Sequence, residues 1–373
     1  MFREHLFLGL FGIFGILYTQ TMKSRKRASL SYAASGVNIN AKEKALASLD
    51  KTMKSGDKRV LNSSEAFATL YDAKFPGYKH PVLVMKTEEP GSKQLIAFQH
   101  GKIESICADM INHLINDIVV MGATPLAVQD AVICGKLEKN TIQKVIAGVA
   151  KACRAQNCTL TGGETSEQPG VLPPGTYILA ANIVGVVEKS RIIDGKKIKN
   201  GDVILAIASN GLHTNGYSLV RRLMKERPAI RKQKIGGTSF LDAILKPHLC
   251  YYKAVKSLFG DRGLHGMAHI TGAGIEGNVS RILPKKLDAR IDLGALKILP
   301  IFRVIRDAGG ITDSEMLKTY NMGAGLIIVV SKSAAKAIQS RIAKSGYRCY
   351  PVGQIVRGTG SVKFAGRLRW ANV

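Results

Sequence analysis

Acidic residues are scarce in this chain. Its 373 residues include 54 Lys and Arg but only 27 Asp and Glu, so the formal net charge at pH 7 is +27. Such an excess of positive charge can attract phosphorylated ligands or bind nucleic acid without sequence preference. The basic residues are scattered and accompany no nucleic-acid-binding motif. A solvated, lysine-rich surface is the simplest interpretation, and we expect no specific nucleic-acid partner.

Paired cysteines and two common nucleotide-binding motifs are also missing. The six cysteines form no C-x-x-C pair, which argues against a zinc site or a disulfide framework and favours reduced thiols in the core. The sequence has no G-x-x-x-x-G-K-[ST] segment and no G-x-G-x-x-G fingerprint in a Rossmann context. A P-loop or dinucleotide-binding domain is therefore not expected.

An apolar segment, Leu6–Tyr18, lies near the N-terminus and is followed by a basic stretch, Lys23–Arg27. It is shorter than the roughly 20 residues that span a membrane. Residues 1–28 are therefore interpreted as a targeting segment, a short membrane anchor, or an upstream extension with the natural start at Met22. We expect a cytoplasmic protein, with membrane contact only through this segment. The alternative is an organellar or membrane-associated location.

The rest of the chain exceeds the usual size of a single hydrophobic core, which predicts two domains. Strand and helix patterns alternate irregularly, so each half is predicted to be α/β or α+β. The predicted strands are Pro81–Met85, Ala127–Ile133, Tyr177–Val187, Val203–Ser209 and Leu326–Val330, and the predicted helices are Ile103–Met121, Thr141–Gln156 and two that begin near Tyr217 and Glu276. The polar, turn-like segment Lys196–Asp202 places the boundary near Gly195, between domains 29–195 and 196–373.

The predicted helix Ile103–Met121, which Gly122 ends, carries three titratable residues at four-residue spacing: Asp109, His113 and Asp117. This spacing places them on one face, with the two carboxylates about 12 Å apart. A polar helix face is one interpretation. The other is a magnesium platform, since hard cations prefer carboxylate and phosphate oxygens. Further oxygen ligands could come from Asn116 and Asp130.

Three glycine-containing segments are predicted to be turns. Thr161–Glu164 would let a nucleotide approach the backbone, and its carboxylate could reach a metal or a ribose, although a plain turn is the alternative. Asn210–Ser218 lies at a predicted strand-to-helix junction, where backbone amides bind anions and His213 could bind phosphate or transfer a proton. Thr271–Gly274 is a weak signal by itself.

Seven segments, in order along the chain, resemble the family of aminoimidazole ribonucleotide synthetases, or phosphoribosylformylglycinamidine cyclo-ligases. The segment Leu160–Gly170 resembles the family pattern LxGGETAEMPG most clearly. The other matching segments are Ser29–Tyr32 with Gly36-Val37, Asn116-Asp117 with Gly122–Pro125, Gly185–Lys189 with Ile193–Gly195, Ser209–Arg221, His269–Gly274 and Thr319–Gly323.

This resemblance implies a two-domain fold and a reaction. The N-terminal α/β domain would bind ATP and contribute strands to a β-barrel shared with a second copy, so that the protein is a homodimer. The C-terminal domain would be α+β. The reaction implied is the ATP- and Mg²⁺-dependent ring closure of formylglycinamidine ribonucleotide, a small phosphorylated substrate, to aminoimidazole ribonucleotide, with release of ADP and phosphate, in de novo purine biosynthesis.

The resemblance and the patterns above together imply roles for named residues. The catalytic residues would be Lys93, His213 and Asp117. ATP would bind at Gly91, Ser92, Lys93, Thr161, Gly162, Gly163 and Glu164. Magnesium would be held by Asp109, Asp117 and Glu164. The substrate would bind at His213, Thr214, Asn215, Ser218, Thr271 and Gly272.

One segment departs from the family pattern. The family's phosphate loop reads approximately GTDGVGTK, whereas Lys86–Lys93 reads KTEEPGSK. Gly91 is retained, Glu88 stands for the aspartate, and Pro90 has no N–H to donate, so the loop cannot hold phosphate by the same backbone pattern. The alternatives are a divergent paralogue acting on another phosphorylated substrate and a catalytically degenerate dimer that binds phosphorylated ligands.

Overall fold

The computed structural model describes residues 56–62 and 66–370, together with Ser35 and Glu43. The predictions for residues 1–28, and most of the motif near Ser29–Val37, lie outside the described residues. In the part of the chain that is described, no helix has both the length and the hydrophobicity needed to cross a bilayer. Two mixed sheets, of four and six strands, form the framework, which confirms a two-part α/β and α+β fold.

The first sheet has the strand order β1-β4-β2-β3. Strands β1 and β2 run antiparallel to β4, and β3 runs parallel to β2. A single chain thus gives an open sheet, and the barrel shared with a second copy stays a prediction. The elements of this half are β1 (Pro81–Glu88), α1 (Lys93–Gln99), α2 (Ile103–Val119), β2 (Thr124–Cys134), α3 (Lys139–Ala155), β3 (Thr159–Glu167) and β4 (Tyr177–Glu188).

The second sheet has the order β12-β9-β11-β5-β10-β8. Its strand β10 is buried along its whole length, as its continuous apolar sequence predicts. The elements of this half are β5 (Val203–Ala208), α4 (Tyr217–Glu226), β6 (Lys234–Ile235), β7 (Thr238–Ser239), α5 (Phe240–Ile244), α6 (Tyr252–Val255), β8 (Leu264–His269), α7 (Gly274–Val279), β9 (Leu287–Asp292), α8 (Pro300–Gly309), α9 (Asp313–Thr319), β10 (Ala324–Val330), α10 (Ala335–Lys344), β11 (Cys349–Arg357) and β12 (Val362–Ala365). The domain boundary near Gly195 stays a prediction.

Two local predictions were wrong. Thr161–Glu164 is not a tight turn but lies within β3, paired with β2. A Cβ at Gly163 would collide with the carboxylate and backbone carbonyl of Asp130, so this glycine allows the two strands to pair. The predicted polar loop Lys86–Lys93 is shorter than expected, because its first three residues extend β1 and its last begins α1. Strand β1 alternates between exposed and half-buried residues along its length.

The polar face of α2 is not solvated, because it packs against the second half of the chain. The Asn116 amide donates to the Leu249 carbonyl at 2.7 Å and accepts from the Tyr251 backbone N–H at 2.7 Å. The Asn112 amide donates to the His248 carbonyl at 2.7 Å. These bonds fix the segment before α6 against the helix and bring side chains of both halves to one place.

Candidate active site

A cavity of about 590 Å³ lies where the end of β1 and α2 face the end of β8 and the segment that follows it. This volume is within the range of about 300–1,000 Å³ typical of small-molecule sites. The first half contributes Lys86, Glu88, His113, Asp117, Val120 and Met121. The rest of the lining is Ile193, Asp194, Asn215, Met267, Ala268, His269, Thr271, Gly272, Asn278, Arg281 and Ile282. The wall is therefore rich in groups that can bind a polar, charged ligand.

Two carboxylates of this wall share one positive charge. The Lys86 ammonium lies 3.1 Å from Glu88 Oε2 and 3.3 Å from Asp117 Oδ2. Burial lowers the pKa of Lys86, but the bonds to Glu88 and the charge of Asp117 outweigh it and the net shift is upward. Because carboxylate oxygens are also the ligands that Mg²⁺ prefers, this pair has the donor chemistry of a magnesium site.

Asp117 also orients a histidine of the second half. Its Oδ1 lies 2.7 Å from His269 Nδ1. Burial raises the pKa of Asp117, but the hydrogen bond and charge of His269, with the charges of His113 and Lys86, hold it far below the usual range. The structure therefore places Asp117, predicted from the sequence as a metal ligand, in the wall of the cavity, and its role there stays a prediction. His269 was not predicted as its partner.

Four histidines from separate segments meet beside the cavity: His113, His213, His248 and His269. The rings of His213 and His248 stack with centroids 3.9 Å apart, and the His248 and His269 centroids are 5.0 Å apart. Burial, with repulsion from His269, lowers the pKa of His113 to about 4, and burial lowers the pKa of His213 and His248 as well. These three imidazoles are therefore neutral near pH 7. No spacing along the chain could have predicted this cluster.

Lys93 and Asp109 are not brought to the cavity. The Lys93 ammonium is fully buried and lies 2.8 Å from Asp109 Oδ2. It also donates to the carbonyls of His213, at 3.1 Å, and Lys246, at 2.7 Å. All three ammonium protons are thus used inside the protein. In this arrangement Lys93 cannot contact a phosphate, and Asp109 cannot contact a cation in the cavity.

Some of the remaining residues that the sequence predicted as site residues line the cavity, and the others do not. Asn215, Thr271 and Gly272 line the cavity. Thr214 is buried, and its hydroxyl lies 3.1 Å from His113 Nδ1. The half-buried or exposed residues that do not line the cavity are Gly91, Ser92, Thr161, Gly162, Gly163, Glu164 and Ser218. The structure thus does not bring the β3 glycines and Glu164 to the residues of the cavity.

The loop after β8 is shaped by Asn278. Its amide nitrogen donates to the carbonyls of Gly272, at 2.9 Å, and Gly274, at 2.8 Å. The Thr271 hydroxyl donates to the Asn278 amide oxygen at 3.3 Å. This side chain therefore holds the predicted turn Thr271–Gly274 in a fixed shape at the rim of the cavity.

Comparison with known proteins places both halves in one family. Residues 76–187 match the model for AIR synthase related protein, N-terminal domain, and residues 199–364 match the model for AIR synthase related protein, C-terminal domain. The chain is 38% identical over 342 residues to a phosphoribosylformylglycinamidine cyclo-ligase of Bacillus cytotoxicus, which covers 91% of this chain and 98% of that protein.

Two solved structures share the fold. The thiamine-monophosphate kinase from Stenotrophomonas maltophilia is 15% identical, with a TM-score of 0.61 over 87% of this chain and 97% of that one. The hydrogenase maturation protein HypE in complex with ATP is 16% identical, with a TM-score of 0.62 over 88% of this chain and 92% of that one. At such low identity these similarities establish the architecture alone.

Proposed function

Because the chain belongs to the family of AIR synthase related proteins, we propose that it is an ATP-dependent cyclo-ligase. It converts formylglycinamidine ribonucleotide to aminoimidazole ribonucleotide, with release of ADP and phosphate, in de novo purine biosynthesis. The identity of 38% to a curated cyclo-ligase, along almost the full length of both chains, supports this activity. The observation that carries the proposal is the cavity in which Glu88, Lys86 and Asp117 face polar groups of the second half.

The residues of the cavity fit the proposed cofactors, ATP and Mg²⁺. Glu88 and Asp117 already hold one cationic group between them, so they would hold the magnesium ion of the nucleotide. When bound, the ion neutralises charge on the phosphates during transfer. Of the three metal ligands expected from the sequence, Asp117 is retained in this proposal, and Glu88 takes the place of Asp109 and Glu164.

The remaining wall of the cavity would bind the phosphorylated substrate. Arg281 and Lys86 supply positive charge for anionic groups, and Asn215 and Thr271 supply hydrogen bonds. Asn278 would act as a positioning residue, because it fixes the loop that carries Thr271. Holding the ribonucleotide against the nucleotide phosphates would favour ring closure by proximity.

Lys93 and His213 take different roles in this proposal from those expected of them. Both are buried behind the wall of the cavity, so they would position other residues rather than contact phosphate. We also infer that the protein is a homodimer whose contact is the exposed face of the first sheet. The exposed side chains of Leu83 and Met85 on β1 support this inference.

The activity is tested by incubating the purified chain with ATP, Mg²⁺ and formylglycinamidine ribonucleotide. We expect aminoimidazole ribonucleotide and one phosphate per product formed, and no product without Mg²⁺. A folded protein that forms no product would overturn the proposal. Calorimetric binding of the ribonucleotide without phosphate release would instead support the degenerate phosphate-binding alternative. Turnover of ATP with a different phosphorylated substrate would support the divergent paralogue.

A further inference from the structure

Three imidazoles converge just behind the wall of the cavity. His213, His248 and His269 each offer one ring nitrogen, and these nitrogens all lie within 4.8 Å of one another. The three side chains belong to the segment after β5, the segment before α6 and the end of β8. They are 1%, 1% and 5% exposed, so the cluster is shielded from bulk solvent.

We propose that His213, His248 and His269 form a binding site for one divalent transition-metal ion, for which zinc is the best match. Neutral imidazole nitrogen is a borderline-soft ligand that suits zinc and its first-row neighbours, whereas magnesium prefers oxygen. Three histidines with one open position are a known zinc arrangement. None of the three ligands belongs to the carboxylate pair Glu88 and Asp117, although Asp117 is hydrogen-bonded to His269, and the proposal does not depend on the ligase activity.

The orientation of His269 suits a metal ligand. Its Nδ1 is bound to Asp117 Oδ1 at 2.7 Å, which turns Nε2 toward the cluster. A carboxylate that holds the second nitrogen in this way is usual for metal-binding histidines. His269 Nε2 lies 3.0 Å from His248 Nε2. Two ligands at about 2.05 Å from a tetrahedral zinc ion are roughly 3.3 Å apart, so these two nitrogens are nearly at the required separation. The His213 ring, which stacks on His248 in this structure, would have to turn about its Cβ–Cγ bond so that one of its nitrogens points at the same ion.

His213 supplies an independent observation. Its ring is fully buried, and neither Nδ1 nor Nε2 has a hydrogen-bond partner among the described residues. Buried polar atoms without a partner are rare and costly in folded proteins. The residue also has a φ of +60°, a conformation that non-glycine residues seldom adopt. A metal ion beside this ring would satisfy a buried nitrogen that is otherwise unsatisfied.

The backbone that carries two of the ligands is fixed by one buried ion pair. Lys93 donates to the His213 carbonyl at 3.1 Å. The His248 backbone N–H donates to Asp109 Oδ1 at 2.6 Å. Such support reduces the entropy lost when the ligands gather around an ion. His269 also lines the cavity, which gives the ion a route from solvent to the site.

The cysteine pattern argued against a zinc site, and all six cysteines are indeed buried free thiols. That argument considered ligands close together in the sequence. The proposed ligands are separated by 35 and 21 positions along the chain, so only the folded structure brings them together.

The site is tested first by metal content. The full chain is stripped with a chelator, incubated with Zn²⁺ and desalted, and bound metal is measured by mass spectrometry. We expect one zinc per chain, retained in a large excess of Mg²⁺. A parallel sample with Co²⁺ should give the intense visible absorption of a four- or five-coordinate, nitrogen-rich site. Absence of bound zinc, or a weak octahedral cobalt spectrum typical of oxygen ligands, would overturn the proposal.

Variants then identify the ligands. His248→Asn and His213→Asn should weaken zinc affinity by tenfold or more, while the matched variant of an exposed histidine, His80→Asn, should keep it. Circular dichroism checks that each variant is folded. If a variant does not fold, the cobalt spectrum of the wild-type protein still tests whether the metal site exists. Full zinc affinity in a folded His248→Asn variant contradicts the site. Because these readouts need neither ATP nor substrate, failure here is distinguishable from failure of the ligase proposal.

Discussion

Lys93 and Asp109 form a salt bridge that solvent does not reach. Lys93 Nζ lies 2.8 Å from Asp109 Oδ2, and both side chains have no exposed area. The pair also binds backbone groups of His213, Lys246 and His248, so it connects α1 and α2 to two segments of the second half. Burial lowers the pKa of Lys93 and raises that of Asp109 to about 6. The pair is therefore a structural connection between the halves.

Replacing Lys93 by Met should destabilise the fold. The Asp109 carboxylate would be left buried without its cation, and breaking such a pair typically costs about 3–5 kcal/mol. Urea unfolding followed by circular dichroism measures this change. The double variant Lys93→Met/Asp109→Asn should recover part of the loss, because the second change removes the unpaired charge.

A direct phosphate-binding role for Lys93 predicts a different result. The Lys93→Met variant would then unfold at the wild-type urea concentration and show only a higher KM for ATP. Equal stability of variant and wild type would contradict the structural role.

Asp117→Asn should lower kcat/KM for the ligase reaction by a factor on the order of 10², as is typical when one preorganised electrostatic contact is lost. The carboxylate is proposed to hold the nucleotide's magnesium, and it orients His269 in the same wall. Steady-state rates of aminoimidazole ribonucleotide formation at several Mg²⁺ concentrations measure the effect. The surface variant Glu226→Gln loses one exposed carboxylate and should react at the wild-type rate. A wild-type rate for Asp117→Asn would remove this carboxylate from the mechanism.

Local sequence patterns correctly predicted helices and strands, and they correctly predicted one helix face shared by three titratable residues. The four-residue spacing of Asp109, His113 and Asp117 predicted a common face of α2, and that face does meet the second half. The pattern could not predict which carboxylate reaches the cavity, because the choice depends on Lys93 closing over Asp109 from another helix. Helical periodicity shows which residues of one helix share a face. The residues that this face contacts are determined by how several helices and strands pack together.

The motif that identified the family most clearly was a poor guide to local structure. Leu160–Gly170 suggested a turn, since glycine pairs commonly mark turns. In the structure Gly163 lies in β3 because the neighbouring strand brings Asp130 against it. His248 was missed for a related reason: nothing in its own segment distinguishes it, and its significance comes from contacts with residues more than 20 positions away.

The exposed face of the first sheet should be the dimer contact. Leu83 and Met85 point outward from β1 and are 48% and 70% exposed. Met85→Lys would place a charge in an apolar interface and should shift the protein toward monomer, as measured by light scattering after gel filtration. Val171→Lys changes an equally exposed apolar residue outside this sheet and serves as the control. A wild-type mass for Met85→Lys, or a monomeric wild-type protein, would contradict the proposed contact.

Asp130 should make the stability of the fold depend on pH. Burial raises the pKa of its carboxyl to about 7, and its Oδ2 has no hydrogen-bond partner among the described residues. Between about pH 4 and 7 the folded state therefore binds more protons at this group than the unfolded state does, so its contribution to stability falls as pH rises. Asp130→Asn removes the ionisation. The difference in unfolding free energy between this variant and wild type should therefore change by about 2–3 kcal/mol in favour of the variant as the pH rises from 5 to 8.

The control for this prediction is an acidic residue that stays in solvent. Asp313→Asn changes an exposed carboxylate and should give the same difference in unfolding free energy at both pH values. Urea unfolding at pH 5 and pH 8 compares the three proteins at equal ionic strength. If Asp130→Asn instead shifts stability by the same amount at both pH values, the carboxyl is already ionised in the folded state at pH 5, and a pKa raised by burial is contradicted.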